Sequence, residues 1–249
     1  MSKTIPTLRL DRLLANLGYG SRKEVQGLIQ SGRVVLDGEA ERDPDQRVYV
    51  KADLAQRMTV AGAPLDPPPG LLVLMLNKPL GVTCSHKEQG ALVYSLLPDR
   101  WRRRDPAIST VGRLDKETSG LLLMTDDGAL LHRIISPKSH VPKRYHVVLD
   151  RPLAGNEAAI LGAGALMLEG EDKPLLPVAM EVLGPKEAFV VLDEGRYHQV
   201  RRMFAALGNH VTALHRDRVG ALDLPADLEP GAYRLLGEAE IAAIFGARA

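Results

Sequence analysis

The sequence predicts an α+β protein in which a small N-terminal domain is joined by a proline-rich linker to a larger domain. The linker, residues 64–70 (PLDPPPG), contains three consecutive prolines, which exclude a helix or a central strand and favour an extended chain. After the linker, strand patterns outnumber helix patterns and do not alternate strictly with them. These observations predict domains at residues 1–66 and 67–249, the second with a mixed, largely antiparallel β-sheet flanked by helices.

The composition is that of a globular chain. The 249 residues are 45% hydrophobic and 25% charged, which excludes collagen-like, disordered and low-complexity proteins. The sequence shows neither a run of about 18 apolar residues nor an apolar signal segment, so we expect a cytoplasmic protein that does not bind membranes. The single cysteine, Cys84, is expected to be buried, and the lack of zinc-like Cys/His spacing predicts that no metal is bound.

In the N-terminal segment, leucines recur at helical spacing over residues 10–17. A second helix is predicted over residues 21–32, with Ser21 and Glu24 as a capping box, and a strand over residues 33–36 follows. The basic side chains of this segment fit either a solvated surface or a nucleic-acid contact. They are Arg9, Arg12, Arg22, Lys23 and Arg33.

The second domain opens with an apolar run at residues 71–76 that is typical of a buried strand. Further strands are predicted at residues 121–124, 145–149, 179–183, 188–192 and 211–214. Helices are predicted at residues 129–135, 156–161, 197–207 and 238–245.

The formal net charge of +1 hides a sorted distribution. Residues 100–145 carry ten Lys/Arg against five Asp/Glu, and residues 196–218 carry five against one. Residues 146–195 carry three against nine, and residues 219–249 carry two against five. Because basic segments can converge on a polyanion, we expect them to form a positive cleft, with the acidic segments elsewhere.

Common cofactor signatures are missing from the sequence. It contains no GxxxxGK[ST], GxGxxG, HExxH or GxSxG motif, which argues against an NTPase, a dehydrogenase, a zinc protease and a typical serine hydrolase. We therefore expect chemistry carried by side chains alone.

The densest candidate stretch is VGRLDKETSG at residues 111–120. Asp115 lies in a glycine-bounded loop before a predicted buried strand, where a carboxylate could be held rigidly beside Arg113. The alternative is a turn-forming carboxylate that accepts hydrogen bonds from nearby amides. Asp126 and Asp127 lie between a strand and a helix and fit a turn or a helix cap.

Lys143, Arg144 and Tyr145 place two cations and a phenol at the start of a strand. An aromatic ring beside cations can stack on an unpaired base while the cations hold phosphates, although a partly buried tyrosine at a strand end is an equal alternative.

The third cluster, EGRYHQVRRMF at residues 194–204, predicts a loop followed by a helix whose apolar residues pack inward. Arg196, Arg201 and Arg202 then face either a site or solvent. We interpret His198 as a hydrogen-bonded polar residue near the helix start.

These stretches carry a specific resemblance. Residues 8–38 (LRLDRLLANLGYGSRKEVQGLIQSGRVVLDG) resemble the S4 RNA-binding module, and four later motifs resemble those of RNA pseudouridine synthases. The four are NKPLG (77–81), VGRLDKETSGLLLMTDDG (111–128), HRIISPKSHVPKRYHV (132–147) and EGRYHQVRRMFAALGNHV (194–211). The similarity spans residues 71 to about 245. The S4-like module narrows it to the branch that includes the ribosomal synthases, and the C-terminal tail is most similar to those that act on small-subunit rRNA.

The resemblance implies a reaction without an external cofactor, in which the N1–C1′ bond of a uridine is broken and the base is rejoined through C5. It assigns Asp115 as the nucleophile at C1′ or C6, or as a base that removes the 2′ proton. It places Arg201 in an ion pair with Asp115. It has Tyr145 stack on the target base and take the C5 proton in the final step, a role for which the phenol needs a lowered pKa. Arg113 would occupy the position that the flipped base vacates.

Other positions follow from the resemblance with less detail. Flanking phosphates are expected to contact Lys143, Arg144, Arg196 and Arg202. The Asn77-Lys78-Pro79 segment is expected to shape the floor of the cleft, and no role is assigned to Arg102-Arg103-Arg104.

The predicted function is therefore isomerisation of one uridine in 16S rRNA, at uridine 516 in the usual rRNA numbering. We expect a monomer that acts on a partly assembled small-subunit particle. Alternatives are the same reaction on 23S rRNA, a non-catalytic RNA-binding assembly factor, and a carboxylate glycosidase that pairs Asp115 with Asp126 or Asp127.

Overall fold

The computed structural model describes residues 6–246 and confirms the α+β class. The chain folds into two compact units. Within the described residues, the first comprises 6–73, 94–110 and 124–131, and the second comprises 74–93, 111–123 and 132–246. The boundary proposed between residues 66 and 67 remains a prediction.

The elements of the N-terminal region are short and begin with an extended strand. They are β1 (Thr7–Arg9), α1 (Leu10–Asn16), α2 (Arg22–Gln30), β2 (Val34–Leu36), β3 (Glu39–Glu41), β4 (Arg47–Tyr49), α3 (Leu54–Arg57), β5 (Met58–Val60) and β6 (Ala63–Pro64). Strands β1 and β4 pair antiparallel, and a second sheet has the order β3-β2-β5-β6. Both predicted helices are confirmed.

The start of α2 shows why this helix forms where the sequence indicates. The Glu24 carboxylate accepts a hydrogen bond from the Ser21 backbone N–H at 2.7 Å, and the Glu24 N–H donates to the Ser21 hydroxyl at 3.4 Å. This capping box satisfies two backbone groups that a helix start leaves unpaired. The leucine stripe of α1 is fully buried against Val25 and Ile29 of α2.

The first unit also contains a buried ion pair. Arg104 and Asp126 lie 2.6 Å apart with 1% and 0% of their side chains exposed, and Asp126 also accepts the Leu72 N–H at 2.9 Å. Asp127 accepts hydrogen bonds from the Ala129 and Leu130 N–H groups at the start of a helix. The predicted helix cap is therefore confirmed for Asp127, whereas Asp126 has a structural role in a buried ion pair rather than in a turn or a cap.

The remaining elements follow in chain order. They are β7 (Val73–Lys78), β8 (Ser109–Thr110), β9 (Ser119–Thr125), α4 (Gly128–Ile135), β10 (Lys143–Leu149), α5 (Glu157–Gly162), β11 (Ala179–Gly184), β12 (Glu187–Leu192), α6 (Gln199–Ala206), β13 (Val211–Val219), β14 (Leu222–Asp223), β15 (Tyr233–Leu235) and α7 (Glu238–Ala243). Three 3₁₀ helices lie at Val93–Leu96, Asp99–Arg103 and Pro137–Ser139.

Strands β7 to β15 form one nine-stranded sheet with the order β11-β12-β10-β13-β9-β7-β15, to which β14 and β8 are added beside β13 and β9. The pairing of β13 with β9 is parallel, and β10 pairs antiparallel with both β12 and β13. The mixed, largely antiparallel sheet is therefore confirmed.

Two boundaries differ from the sequence prediction in ways that affect the site. Strand β13 continues to Val219 because Arg218 and Val219 still pair with β10, so its charged residues belong to the sheet. Helix α6 begins at Gln199 because His198 has a left-handed backbone conformation with φ of 49°. The helix starts two residues later than predicted.

The core of the second unit lies between α6 and the sheet. Val200, Met203 and Phe204 of α6 are buried against Val147 of β10 and Leu214 of β13. Cys84 is buried as predicted. No helix within residues 6–246 is both long enough and apolar enough to span a bilayer.

Candidate active site

A cavity of about 620 Å³ opens in the second unit. Besides Glu88, Lys116, Glu194, Arg196 and Tyr197, its lining includes six polar or charged side chains that come from several motifs. These residues are Arg113, Asp115, Lys143, Tyr145, His198 and Arg216. Sequence reasoning placed Arg113, Asp115, Lys143 and Tyr145 in a site, and it missed the other two as site residues.

The loop that carries Asp115 is fixed through its backbone. The Thr118 N–H donates to the Asp115 carbonyl at 3.0 Å, and the Gly81 N–H donates to the Lys116 carbonyl at 2.9 Å. Lys78 is fully buried, and its ammonium donates to the carbonyls of Pro79 and Thr118, at 2.9 and 2.8 Å. Burial lowers the pKa of Lys78. The lysine therefore holds the loop and leaves the Asp115 side chain free to face the cavity.

His198 is the charged or polar group that the structure places beside Asp115. Its Nε2 atom lies 3.3 Å from Oδ1 of Asp115, and both side chains are about one-third exposed, at 38% and 35%. The ring of His198 stacks on Tyr197 with a centroid distance of 3.9 Å. The left-handed backbone at His198 turns the side chain out of the helical register. No local sequence pattern signals that turn, beyond the position of His198 in the GRYHQV motif.

Tyr145 and Arg216 meet on adjacent strands of the sheet. The guanidinium Nη1 of Arg216 lies 3.4 Å from the Tyr145 phenol oxygen, and its Nε–H donates to the Leu121 carbonyl at 2.8 Å. Arg216 is only 4% exposed. The parallel register places Arg216 opposite Gly120, where any Cβ would lie 2.2 Å from the Arg216 carbonyl oxygen. Glycine is therefore required for this close approach.

Lys143 lies two residues before Tyr145 and on the same face of β10. Its ammonium donates to the Val141 carbonyl at 2.8 Å. Burial, with a smaller contribution from the charge of Arg216, lowers the pKa of Lys143 to about 8. Arg113 has 67% of its side chain exposed, and its nearest carboxylate oxygen is that of Glu88 at 3.7 Å. The two cations thus differ in solvation, although both line the same cavity.

Arg201 is not where the sequence analysis expected it. Its guanidinium donates to the carbonyls of Val211 and Glu117, at 2.9 and 2.7 Å, and it lines a separate cleft of about 290 Å³. The described residues show no ion pair between Arg201 and Asp115, so that expected contact is wrong. Because Val200 faces the core, the next residue on the helix is rotated away from it by about 100°. The catalytic role of Arg201 stays a prediction.

Three arginines expected to hold phosphates are engaged by carboxylates. Arg144 makes a bidentate pair with Asp217 and lies over the Phe189 ring. Arg196 and Arg202 share Glu171 at 3.3 and 2.8 Å.

Carboxylates of the acidic segment 146–195 therefore pair with arginines of the basic segment 196–218, and Glu194 also lines the cavity, so the expectation that this acidic segment lies elsewhere is wrong. Arg196 additionally pairs with Glu194 at 3.1 Å. Contacts of Arg144, Arg196 and Arg202 with phosphates remain predictions.

The basic residues of the N-terminal segment divide in the same way. Arg9 is paired with Asp11 at 3.0 Å and also with Asp45. The other four are exposed and form no ion pair among the described residues. They are Arg12, Arg22, Lys23 and Arg33.

The carboxylates required by the glycosidase alternative do not share the cavity. Asp126 is buried in its ion pair with Arg104, Asp127 caps a helix, and neither lines the cavity that contains Asp115. Among the described residues, no group of three His, Cys, Asp or Glu side chains is arranged to hold a metal ion.

Fold and site define an RNA-modifying enzyme with a separate RNA-binding module. A family model described as S4 domain matches residues 8–53, and one described as RNA pseudouridylate synthase matches residues 72–206. The second match covers more than half of the chain. The chain belongs to the RNA pseudouridylate synthase family, whose members are isomerases.

Individual relatives extend over nearly the whole chain. The chain is 41% identical over 240 residues to the ribosomal small subunit pseudouridine synthase A of Escherichia coli K12, covering 95% of this chain and 100% of the relative. It is also 41% identical to an uncharacterized RNA pseudouridine synthase of Bacillus subtilis, covering 94% and 97%. A crystal structure of a pseudouridylate synthase matches with a TM-score of 0.67 and 36% identity, covering 95% and 99%.

Proposed function

We propose that this enzyme converts one uridine of small-subunit rRNA to pseudouridine. The observation that carries the proposal is the end-to-end similarity to relatives named as small-subunit pseudouridine synthases, with both the S4 domain and the synthase domain in place. We further propose uridine 516 of 16S rRNA, in its usual numbering, as the target.

Asp115 is the proposed nucleophile. It is a carboxylate that lines the cavity from a loop fixed through its backbone, and its Oδ1 lies 3.3 Å from Nε2 of His198. Attack at C1′ expels the base, whereas attack at C6 gives a covalent adduct of the base. Removal of the 2′ proton would open a third route. In each route the N1–C1′ bond breaks, the C5–C1′ bond forms, the C5 proton leaves, and N1 is protonated.

Tyr145 is proposed to stack on the target base. Arg216 donates toward its phenol oxygen and so restricts the position of the ring. A uridine in a base-paired or stacked strand cannot reach Asp115, so the nucleotide must flip out. Arg113, exposed and on the same loop as Asp115, is proposed to fill the vacated position. Lys143 is proposed to hold a flanking phosphate, and the same role is proposed for Arg144, Arg196 and Arg202.

The proposed partner is rRNA in a partly assembled small-subunit particle, engaged by a monomer in the cytoplasm. The S4 domain is proposed to recognise the shape and phosphates of structured RNA rather than base sequence. Arg12, Arg22, Lys23 and Arg33 are exposed and available for that contact, whereas Arg9 must first exchange its carboxylate partners.

The test is release of tritium from 5-tritiated uridine in 16S rRNA, as a free transcript and with bound ribosomal proteins. We expect release by the wild type and none by Asp115→Ala. Glu117→Gln is a matched control, because Glu117 lies exposed on the same loop but does not line the cavity.

Two outcomes would overturn parts of the proposal. Unchanged release by Asp115→Ala would remove the nucleophile assignment. Carbodiimide mapping that finds the modified uridine only in 23S rRNA would show that the reaction is right and the proposed RNA is wrong.

A further inference from the structure

The run Arg100-Trp101-Arg102-Arg103-Arg104 has no role in the proposed chemistry. Its side chains differ in exposure to solvent. Trp101 and Arg104 are buried, whereas Arg102 and Arg103 are exposed. Residues three apart share a face of a 3₁₀ helix, so the helix at Asp99–Arg103 has an inner and an outer face. The two outward arginines are therefore held on a fixed backbone.

Hydrogen bonds from Arg100, Trp101 and Arg104 attach this helix to the rest of the first unit. The Arg100 guanidinium makes a bidentate pair with Asp66 at 2.8 and 2.6 Å, and the Trp101 indole N–H donates to the same carboxylate at 2.9 Å. Arg104 pairs with buried Asp126. These contacts explain why some cations of this run are structural. Arg102 and Arg103 take no part in these contacts.

The same 3₁₀ helix packs against the turn between α1 and α2 within the first unit. The Asp105 N–H donates to the Asn16 carbonyl at 2.8 Å, and the Arg100 guanidinium lies 5.2 Å from the centre of the Tyr19 ring. A Cβ at Gly18 would lie 2.1 Å from the Arg100 carbonyl oxygen, so the two backbones are in close contact. The helix is thus part of the same folded unit as the S4 helix pair.

Charge links the outer face to the start of α2. The pKa of Glu24 is lowered mainly by hydrogen bonds from Ser21, with a further contribution from the nearby positive charge of Arg103. Arg22 and Lys23 immediately precede Glu24 in the sequence and are exposed. Glu24 itself is engaged in the capping box, so the cations exceed the available carboxylate here.

We propose that Arg102 and Arg103 extend the RNA-binding surface of the S4 domain, so that phosphates of one structured RNA contact both the start of α2 and the 3₁₀ helix at Asp99–Arg103. Arg103 forms no ion pair among the described residues. Arg102 pairs with Asp99, but both side chains are exposed, and an exposed pair of this kind exchanges readily for a phosphate. The S4 match and the excess of cations favour RNA as the occupant.

The proposal rests on the proposed function only for the identity of the RNA. The experiment measures binding of a 16S rRNA fragment to the full chain by fluorescence anisotropy over a range of salt concentrations, with tritium release measured separately. The variant is Arg102→Gln/Arg103→Gln. The matched control is Arg47→Gln/Lys51→Gln, which removes two exposed cations from β4 and the segment after it.

We expect the Arg102/Arg103 variant to bind about tenfold more weakly and to lose up to about 2 from the slope of log K against log salt concentration, since each phosphate contact contributes about 0.9. Arg102→Lys/Arg103→Lys should retain most of the affinity, and both glutamine variants should keep the wild-type melting temperature. An unchanged Kd and slope in the Arg102→Gln/Arg103→Gln variant would contradict the proposed RNA-binding surface. An equal loss of affinity in the Arg47→Gln/Lys51→Gln control would contradict it as well.

Failure of the surface and failure of the function give different results. If the wild type releases tritium and the Arg102/Arg103 variant binds normally, the surface is wrong and the function stands. If the wild type binds the fragment without releasing tritium and the variant binds weakly, the surface stands and the proposed reaction on this RNA is wrong. If the wild type binds neither a 16S nor a 23S rRNA fragment, the surface is wrong.

Discussion

The Nε2 atom of His198 lies 3.3 Å from Oδ1 of Asp115, and the two residues come from motifs more than 80 positions apart in the chain. His198 lies immediately before α6 and has a left-handed backbone conformation, which residues other than glycine rarely adopt. Strain of this kind persists when the surrounding structure enforces it, and it concentrates at functional sites. This geometry predicts that His198 positions the Asp115 carboxylate.

Substitution of His198 by alanine should therefore lower kcat for tritium release by about tenfold, which corresponds to a loss of about 1.4 kcal/mol of transition-state stabilisation. His198→Gln should recover part of the loss, since a glutamine amide is polar and can donate a hydrogen bond to the Asp115 carboxylate. His210→Gln is the control, and it should act like the wild type. A kcat for His198→Ala within twofold of wild type would contradict a positioning role.

Tyr145 and Arg216 should behave as a coupled pair. If Arg216 acts by restricting the Tyr145 phenol, Arg216→Lys should slow single-turnover tritium release in the wild type but add little in a Tyr145→Phe background. The four single-turnover rates give the coupling free energy, which we expect to be about 1 kcal/mol. Additive effects would show that the two residues act independently.

Lys143 should make RNA binding depend on pH in the alkaline range. Its pKa is lowered to about 8, so the free protein loses this positive charge as the pH rises through 8. If Lys143 holds a phosphate, RNA affinity should fall between about pH 8 and pH 9.5. Lys143→Arg should not show this fall, because arginine stays charged. Parallel pH profiles for the two proteins would contradict the assignment.

The same shift predicts the sign of a stability effect. Between about pH 8 and pH 10.4 the unfolded chain retains the Lys143 proton and the folded chain does not, so the free energy of unfolding should rise with pH. Urea titrations of the wild type, compared with Lys143→Met, should show a steeper rise in the wild type, because Lys78, whose pKa is also lowered by burial, contributes to both proteins.

The sequence carries the local features of the site better than its assembly. The loop of Asp115 and the capping box of Ser21 and Glu24 depend mainly on residues that are close in sequence. The structure contains the capping box, and it places Asp115 on a loop before strand β9. The position of Arg216 depends on the parallel register of β13 with β9, which no local pattern encodes. The predicted strand therefore ends at residue 214, and Arg216 lies outside it.

The direction of the Arg201 side chain could not be predicted from the sequence. A helix pattern identifies the inward face of α6, yet the direction of each remaining side chain depends on where the helix begins. The left-handed residue His198 delays that start, and the Arg201 guanidinium reaches the carbonyls of Val211 and Glu117. The Glu171 carboxylate that Arg196 and Arg202 share lies 25 and 31 residues away from them in the chain, so counting charge by segment could not reveal this contact.

The buried pair of Arg104 and Asp126 should dominate the stability of the first unit. Asp126→Asn removes the charge that compensates Arg104, whose Nη1 already lacks a hydrogen-bond partner among the described residues, and leaves a guanidinium buried without a carboxylate. Breaking such a pair costs about 3–5 kcal/mol. Asp127→Asn, which alters only a helix cap, should cost about 1 kcal/mol or less.

Urea unfolding at pH 7 measures both variants under the same conditions, and Arg104→Met/Asp126→Leu supplies the second arm. Because the double variant removes both charges and fills the space with apolar side chains, it should be more stable than Asp126→Asn alone. A double variant less stable than Asp126→Asn would show that the side-chain packing around this pair, rather than its charge balance, sets the stability of the first unit.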